Sequence, residues 1–179
     1  VVTWAERYPE QKLVVHDLSW ADRFAEFEDR LHADLGPGWK FEHVGSTSVP
    51  GLCAKPVIDI ATSVPIDAEE GAVGATLLES GWTDIVALGD HQASFLLDGT
   101  VRVAILHLFS ADQWPTAHLR LFASWLRSHD GDRDAYASLK SGLVGSGVWG
   151  SEYTKAKREF VTEIVNRARA ARGLGPVAL

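Results

Sequence analysis

Apolar positions change period along the chain, and the changes mark its elements. Trp20, Phe24, Phe27, Leu31 and Leu35 recur three or four residues apart, which is one face of a helix. Asp17 or Ser19 offers an oxygen to cap its first turn, and Gly36-Pro37-Gly38 stops it. Phe41-Glu42-His43-Val44 then reads as a short strand ending at Gly45, and Val57-Ile58-Asp59-Ile60-Ala61 as a buried strand rich in β-branched residues. A helix is predicted over 67–78, closed by Gly81, with strands over 82–87, 93–97 and 101–109. Asp98-Gly99 supplies a hairpin turn between the last two strands. Helical spacing returns at Trp114, where Pro115 suits a first turn and Leu119, Phe122, Leu126 and Trp125 form an apolar stripe. Further helices are expected over about 133–143 and 151–171.

This order predicts an α+β (or α/β) fold: a mixed twisted sheet flanked by helices, with a helical C-terminal portion over about 113–171. With no linker or repeat in view, residues 1–179 are read as one domain. A 46% hydrophobic content supplies a core for a chain of 179 residues and excludes disorder as the main state. No apolar run approaches the roughly 20 residues of a membrane span. The N-terminal stretch lacks a basic segment followed by an apolar one, so a cytoplasmic protein without a membrane partner is expected. The net charge of −7 argues against broad nucleic-acid binding, yet leaves room for a small basic site. Cys53 is the only cysteine, which excludes a disulfide framework and a Cys-rich zinc site. The seven tryptophans are scattered, and packing is their expected role.

The segment richest in chemistry runs from Glu42 to Ile60. A strand enters Gly45-Ser46-Thr47-Ser48, a loop punctuated by Pro50, Gly51 and Pro56 follows, and the next strand carries Asp59 between Ile58 and Ile60. Gly45 permits close backbone approach, Ser46, Thr47 and Ser48 offer hydroxyl and amide donors, and Lys55 adds a positive charge, a set suited to phosphate oxygens. Asp59 in an apolar run needs a metal or hydrogen-bond partners. The same residues also fit an ordinary turn with a strand-end acid held by backbone amides. Lys55 is not preceded by glycine or followed by Ser or Thr, so this is no Walker loop.

Glu42 to Ile60, with its Gly-Ser-Thr-Ser-Val-Pro-Gly-Leu string and Lys55-Pro56, resembles the signature of the GrpB-like family of the nucleotidyltransferase superfamily. Leu106-His107-Leu108-Phe109, Tyr136 to Lys140 and Tyr153 to Lys157 resemble later motifs of that family. The resemblance implies a nucleotidyltransferase-like sheet with Asp59 and His107 as catalytic residues and Asp59 as a Mg²⁺ ligand. It also implies a nucleotide or other phosphorylated small molecule bound by Gly45, Ser46, Thr47, Ser48, Lys55, Tyr153 and Lys157. Active members use paired carboxylates to hold two Mg²⁺ ions. Here the second acid position is Ala61, the family's Phe-Arg-Asp is Phe122-Ala123-Ser124, and a position often occupied by histidine is Ala104.

Several positions carry two readings. His107, in an apolar strand, is either a packed core residue or a ligand contact, and Glu42 and His43 hold the loop's shape or serve it. Tyr136/Lys140 and Tyr153/Lys157, each four apart, share a helix face, as do Arg120 and Arg127. A solvated face accounts for all of these most simply, although the resemblance favours Tyr153 and Lys157 as contacts. Three functions follow: a Mg²⁺-dependent nucleotidyl transferase, a non-catalytic anion pocket of the same fold, or an interaction module, since GrpB-like domains also occur attached to dephospho-coenzyme A kinase. The Gly173–Leu179 tail is expected to be mobile.

Overall fold

Asp17 organises the entry to the first long helix. The computed structural model describes residues 3–8 and 12–179; the stretch read for a leader lies partly outside them. After a short α1 (Trp4–Arg7), α2 (Ser19–Leu35) begins where Asp17 Oδ1 accepts the Ser19 amide at 2.9 Å and the Ser19 hydroxyl at 2.7 Å. Asp17 Oδ2 accepts the Tyr8 hydroxyl at 2.7 Å, and that hydroxyl accepts the indole N–H of buried Trp20 at 2.9 Å. Burial pushes the Asp17 carboxyl upward, but bonds from Ser19 and Tyr8 and the charge of Arg7 outweigh it and hold it at about 2. A depressed carboxylate stabilises the fold above its unfolded value of 3.8, and that contribution disappears as pH falls through about 2. Asp17→Ala is expected to cost about 0.5–2 kcal/mol, the range for losing a helix-start acceptor. At roughly 2–4 °C per kcal/mol the loss is readable in thermal unfolding, and it shrinks toward pH 2.

The middle of the chain supplies β1 (Lys40–Val44), β2 (Ile58–Ser63), α3 (Glu70–Glu79), β3 (Val86–Leu88), β4 (His91–Asp98) and β5 (Val101–Phe109). The strands form one five-stranded sheet in the order β1-β2-β5-β4-β3, in which only β2 and β5 run parallel. Strand side chains alternate between faces, so Ile58 and Ile60 point one way and Asp59 and Ala61 the other. The first face buries Trp20, Phe27 and Leu31 of α2 and Val73 and Leu77 of α3 against Ile58, Ile60, Leu106 and Leu108. The second face carries α4 (His118–Ser128), whose Ala117 and Ala123 side packs on Val44, Ala61 and Phe109. The other side of α4 packs Leu121, Phe122 and Leu126 against α5 (Asp130–Gly145) and α6 (Gly150–Ala170). This is a mixed α+β architecture, and no described helix is long and apolar enough to cross a membrane.

Four local expectations need correction. The helix expected from residue 67 starts at Glu70, because Pro65 and Ala68 close a turn (Ala68 N to Pro65 O, 3.0 Å) and Glu69 is extended. The strand expected over 82–87 is only a bridge at Trp82 and the short β3, since the Thr83 hydroxyl takes the Phe95 amide at 3.0 Å in place of a ladder carbonyl. Trp114–Thr116 forms a separate 3₁₀ turn, and Ala117, at ψ 122°, interrupts the chain before α4. The tail is pinned: Asn166 Nδ2 donates to Val177 O at 2.9 Å, Asn166 Oδ1 accepts the Val177 amide at 2.8 Å, and Val177 and Leu179 pack against the helical core.

Candidate functional site

Gly45 joins β1 to a single 3₁₀ turn, Ser46–Ser48, at φ 68° and ψ −171°. The register pairs Val44 with Asp59, so the turn lies directly on the Asp59 carboxylate. A Cβ at residue 45 would stand 2.1 Å from Asp59 Oδ2, which leaves space for glycine alone. The hydroxyls of the turn then divide their work. Ser48 Oγ donates to Gly45 O at 2.8 Å, and buried Thr47 donates to Val57 O at 3.3 Å while accepting from His43 Nε2 at 2.9 Å. That leaves Ser46, whose Oγ accepts from Lys140 Nζ at 3.1 Å. His43 stacks on Phe24 and is held neutral, its pKa lowered to about 4 mainly by burial.

Beside Ser46 opens a cavity of about 230 Å³ into which Lys55, Asp59, Arg102, Lys140 and Lys157 project. Four cations thus surround one carboxylate. Lys140, 1% exposed, also donates to Cys53 O, and burial brings its pKa down to about 7. Burial lowers Lys157 to about 8 against the attraction of Asp59, with Lys55 adding repulsion. Lys55 is lowered by burial and by Arg102. Aromatic rings support the ammonium groups: Tyr136 lies 4.6 Å from Lys140 Nζ, Tyr153 4.1 Å from Lys157 and Trp149 5.6 Å from Lys55. Burial pushes both tyrosine phenols upward.

Asp59, Ser46, Lys55, Tyr153 and Lys157 therefore meet at one cavity. Thr47 also lines it, while Gly45 and Ser48 belong to the adjoining turn and not to its wall, the Thr47 and Ser48 hydroxyls being turned into the loop. His107 lies behind Asp59, its Nε2 3.2 Å from Asp59 Oδ1 and its side chain 7% exposed. Lys140, Arg102 and Trp149 were missed from sequence. Lys140 and Tyr136 are buried rather than on a solvated face, and the available signal was the same Tyr-x-x-x-Lys spacing in α5 and α6. Arg102 carried no comparable signal. Arg120 and Arg127 do more than the expected solvated face requires: half-buried Arg120 pairs with Glu42 at 2.5 and 2.7 Å, and Arg127, still exposed, donates to Ser48 O at 3.0 Å and His43 O at 2.6 Å, clamping the turn.

A pair of Mg²⁺ ions does not fit these residues. Ala61 packs with Ala123 and Val44 in an apolar cluster, and neighbouring Glu42 is occupied by Arg120. Asp59 is the one acid lining the cavity among the described residues.

The sheet, its Gly-Ser turn and the acid on the next strand define a nucleotidyltransferase-like fold. The Cid1 poly(U) polymerase bound to MgATP superposes with a TM-score of 0.55 at 12% identity, over 84% of this chain and 51% of that one. Within that class the chain belongs to the GrpB family, whose model (GrpB protein) matches residues 10–167. A UPF0157 protein of Halalkalibacterium halodurans is 36% identical over 161 residues, 88% of this chain and 82% of that protein. The crystal structure of the conserved protein GrpB from Enterococcus faecalis superposes with a TM-score of 0.77 at 24% identity, covering 90% of this chain and 99% of that one.

Proposed function

We propose that the cavity binds the phosphate groups of a nucleotide or another phosphorylated small molecule, and that the chain works by ligand binding rather than by two-metal nucleotidyl transfer. The observation that carries this reading is the convergence of Lys55, Arg102, Lys140 and Lys157 on one recess in a protein of net charge −7. Desolvated ammonium groups facing a single carboxylate oppose folding, and an incoming polyanion relieves that opposition. The cavity, about 230 Å³, is smaller than the roughly 300–1,000 Å³ of ordinary ligand pockets, so phosphates enter it and the rest of the ligand lies beyond its rim. Asp59 offers one carboxylate to a single Mg²⁺ arriving on those phosphates, an ion that ordinarily keeps several of its waters.

The test is calorimetric titration of ATP, CTP, GTP, UTP and inorganic pyrophosphate, with and without Mg²⁺, on wild type, Lys157→Gln and Asp59→Asn. Lys157→Gln is expected to weaken binding. Without metal, Asp59→Asn is expected to tighten binding by on the order of tenfold, which about 1.4 kcal/mol of relieved repulsion supplies. The same variant loses any enhancement by Mg²⁺. Affinities unmoved by either substitution would remove the cavity from the function.

A further inference from the structure

We infer that Asp90, His91 and His118 form a site for one divalent transition-metal ion, separate from the basic cavity, with zinc as the ion that its donor set suits. Asp90 and His91 stand at the start of β4 and His118 opens α4, so the fold rather than local sequence brings them together. Their ligand atoms lie within 4.8 Å of one another. Asp90 Oδ1 is 2.9 Å from His91 Nδ1 and 3.6 Å from His118 Nδ1. Ligands at roughly 2.0–2.1 Å around tetrahedral zinc stand about 3.3 Å apart, between those two values. His118 Nδ1 is buried and has no hydrogen-bond partner among the described residues, although it points toward the same carboxylate. Two imidazoles and a carboxylate are a zinc-type donor set, and three protein ligands leave a coordination position open.

Hydrogen-bond accounting gives a second, independent reason. Asp90 Oδ1, His91, His107 and Asp59 form one chain across the sheet, with contacts of 2.9, 2.9 and 3.2 Å. Both ends are carboxylates and can only accept, so His91 Nδ1 and His107 Nε2 must each present a cation or a proton outward. With neutral rings that leaves His91 Nε2 and His107 Nδ1 facing each other with no hydrogen between them. A metal ion on His91 Nδ1 resolves the conflict. His91 Nε2–H then donates to His107 Nδ1, His107 Nε2–H donates to Asp59, and every contact is satisfied with neutral imidazoles. A metal-bound histidine held by its second nitrogen is the usual outer-shell arrangement. Asp90 and His91 line a cavity of about 670 Å³ that has Val64, Ile66, Val73 and Leu108 in its wall, and Asp90 and His118 line a smaller one of about 310 Å³ beside Arg169.

The test uses the full, untagged chain freed of metal by a chelator, titrated with Zn²⁺ by calorimetry and with Co²⁺ by visible absorption. Wild type is expected to take up one equivalent of each. Asp90→Asn, at an exposed position that tolerates change, and His118→Gln are expected to weaken Zn²⁺ binding by more than the roughly 10–100-fold typical of losing an outer-shell partner, and to abolish the Co²⁺ absorption. His107→Gln falls within that 10–100-fold range. Asp59→Asn keeps wild-type stoichiometry, because the asparagine carbonyl still accepts from His107. The assignment is overturned by no uptake, by uptake that survives both Asp90→Asn and His118→Gln, or by uptake that Asp59→Asn alone abolishes, which would put the ion in the basic cavity.

Discussion

A Gly45→Ala variant is expected to lose anion binding and folding stability together. Residue 45 sits at φ 68° and ψ −171°, a region open essentially to glycine, where another residue costs on the order of 1–3 kcal/mol. The clash adds to this, since the new Cβ falls 2.1 Å from Asp59 Oδ2. The carboxylate has little room to retreat, because its other oxygen meets His107 at 3.2 Å. It moves instead into the cavity, where it repels the phosphates that the lysines attract. Thermal unfolding and nucleotide titration on the same preparation measure both effects, with roughly 2–4 °C of Tm for each kcal/mol. A folded alanine variant that binds like wild type would show that the turn does not shape the site.

Lys140→Met separates function from stability in the opposite sense. Lys140 is a buried ammonium whose described hydrogen bonds go to Ser46 Oγ and Cys53 O, with no carboxylate among them. Its pKa, about 7 in the fold against 10.5 as the reference value, fixes the sign of the pH dependence. Between those values the unfolded chain binds the extra proton, so stability rises with pH from about 7 toward 10.5. Anion affinity moves the other way, falling as Lys140 and then Lys157, at about 8, lose their charge. Methionine fills similar space without a charge. The variant is expected to be at least as stable as wild type near neutral pH, to lack most of the rise in stability above pH 7, and to bind pyrophosphate or ATP about tenfold or more weakly, a loss of ~1.4 kcal/mol. Urea unfolding from pH 6 to 10 and parallel titrations test this. Unchanged affinity would make Lys140 a tether between the turn and Cys53 rather than a ligand contact.

Both predictions concern residues of one site, yet they differed in how far the sequence revealed them. Gly45, Ser46, Lys55 and Asp59 were legible because they are close in the chain, and strand, glycine and hydroxyl run leave few alternative local structures. Their neighbour Ala61 carried its message equally openly, as did Ala123 in α4. What the structure adds is that these two alanines lie in one buried cluster with Val44 and Phe109, so the missing acid and the changed helix motif belong to one apolar patch. Lys140 was misread for a physical reason. Four-residue spacing says which residues share a helix face, while whether that face meets water depends on what packs over it, and Tyr136 and Lys140 are covered by the Gly45–Pro56 loop far away in sequence.

The chain's own pattern determined the α2 helix, the β4–β5 hairpin (its turn falls one residue later than expected, at Gly99-Thr100, with Asp98 ending β4 opposite Val101), the β1–turn–β2 unit and the α+β class, because each follows from hydrophobic period and turn chemistry over a few adjacent residues. Tertiary structure alone decided the rest. Arg102 from β5, Lys140 from α5 and Lys157 from α6 meet only because α5 and α6 dock against the turn, and Asp90, His91 and His118 meet only because β4 pairs with β5 beneath the start of α4. Contacts across such distances are set by sheet order and helix packing, and no local spacing encodes them.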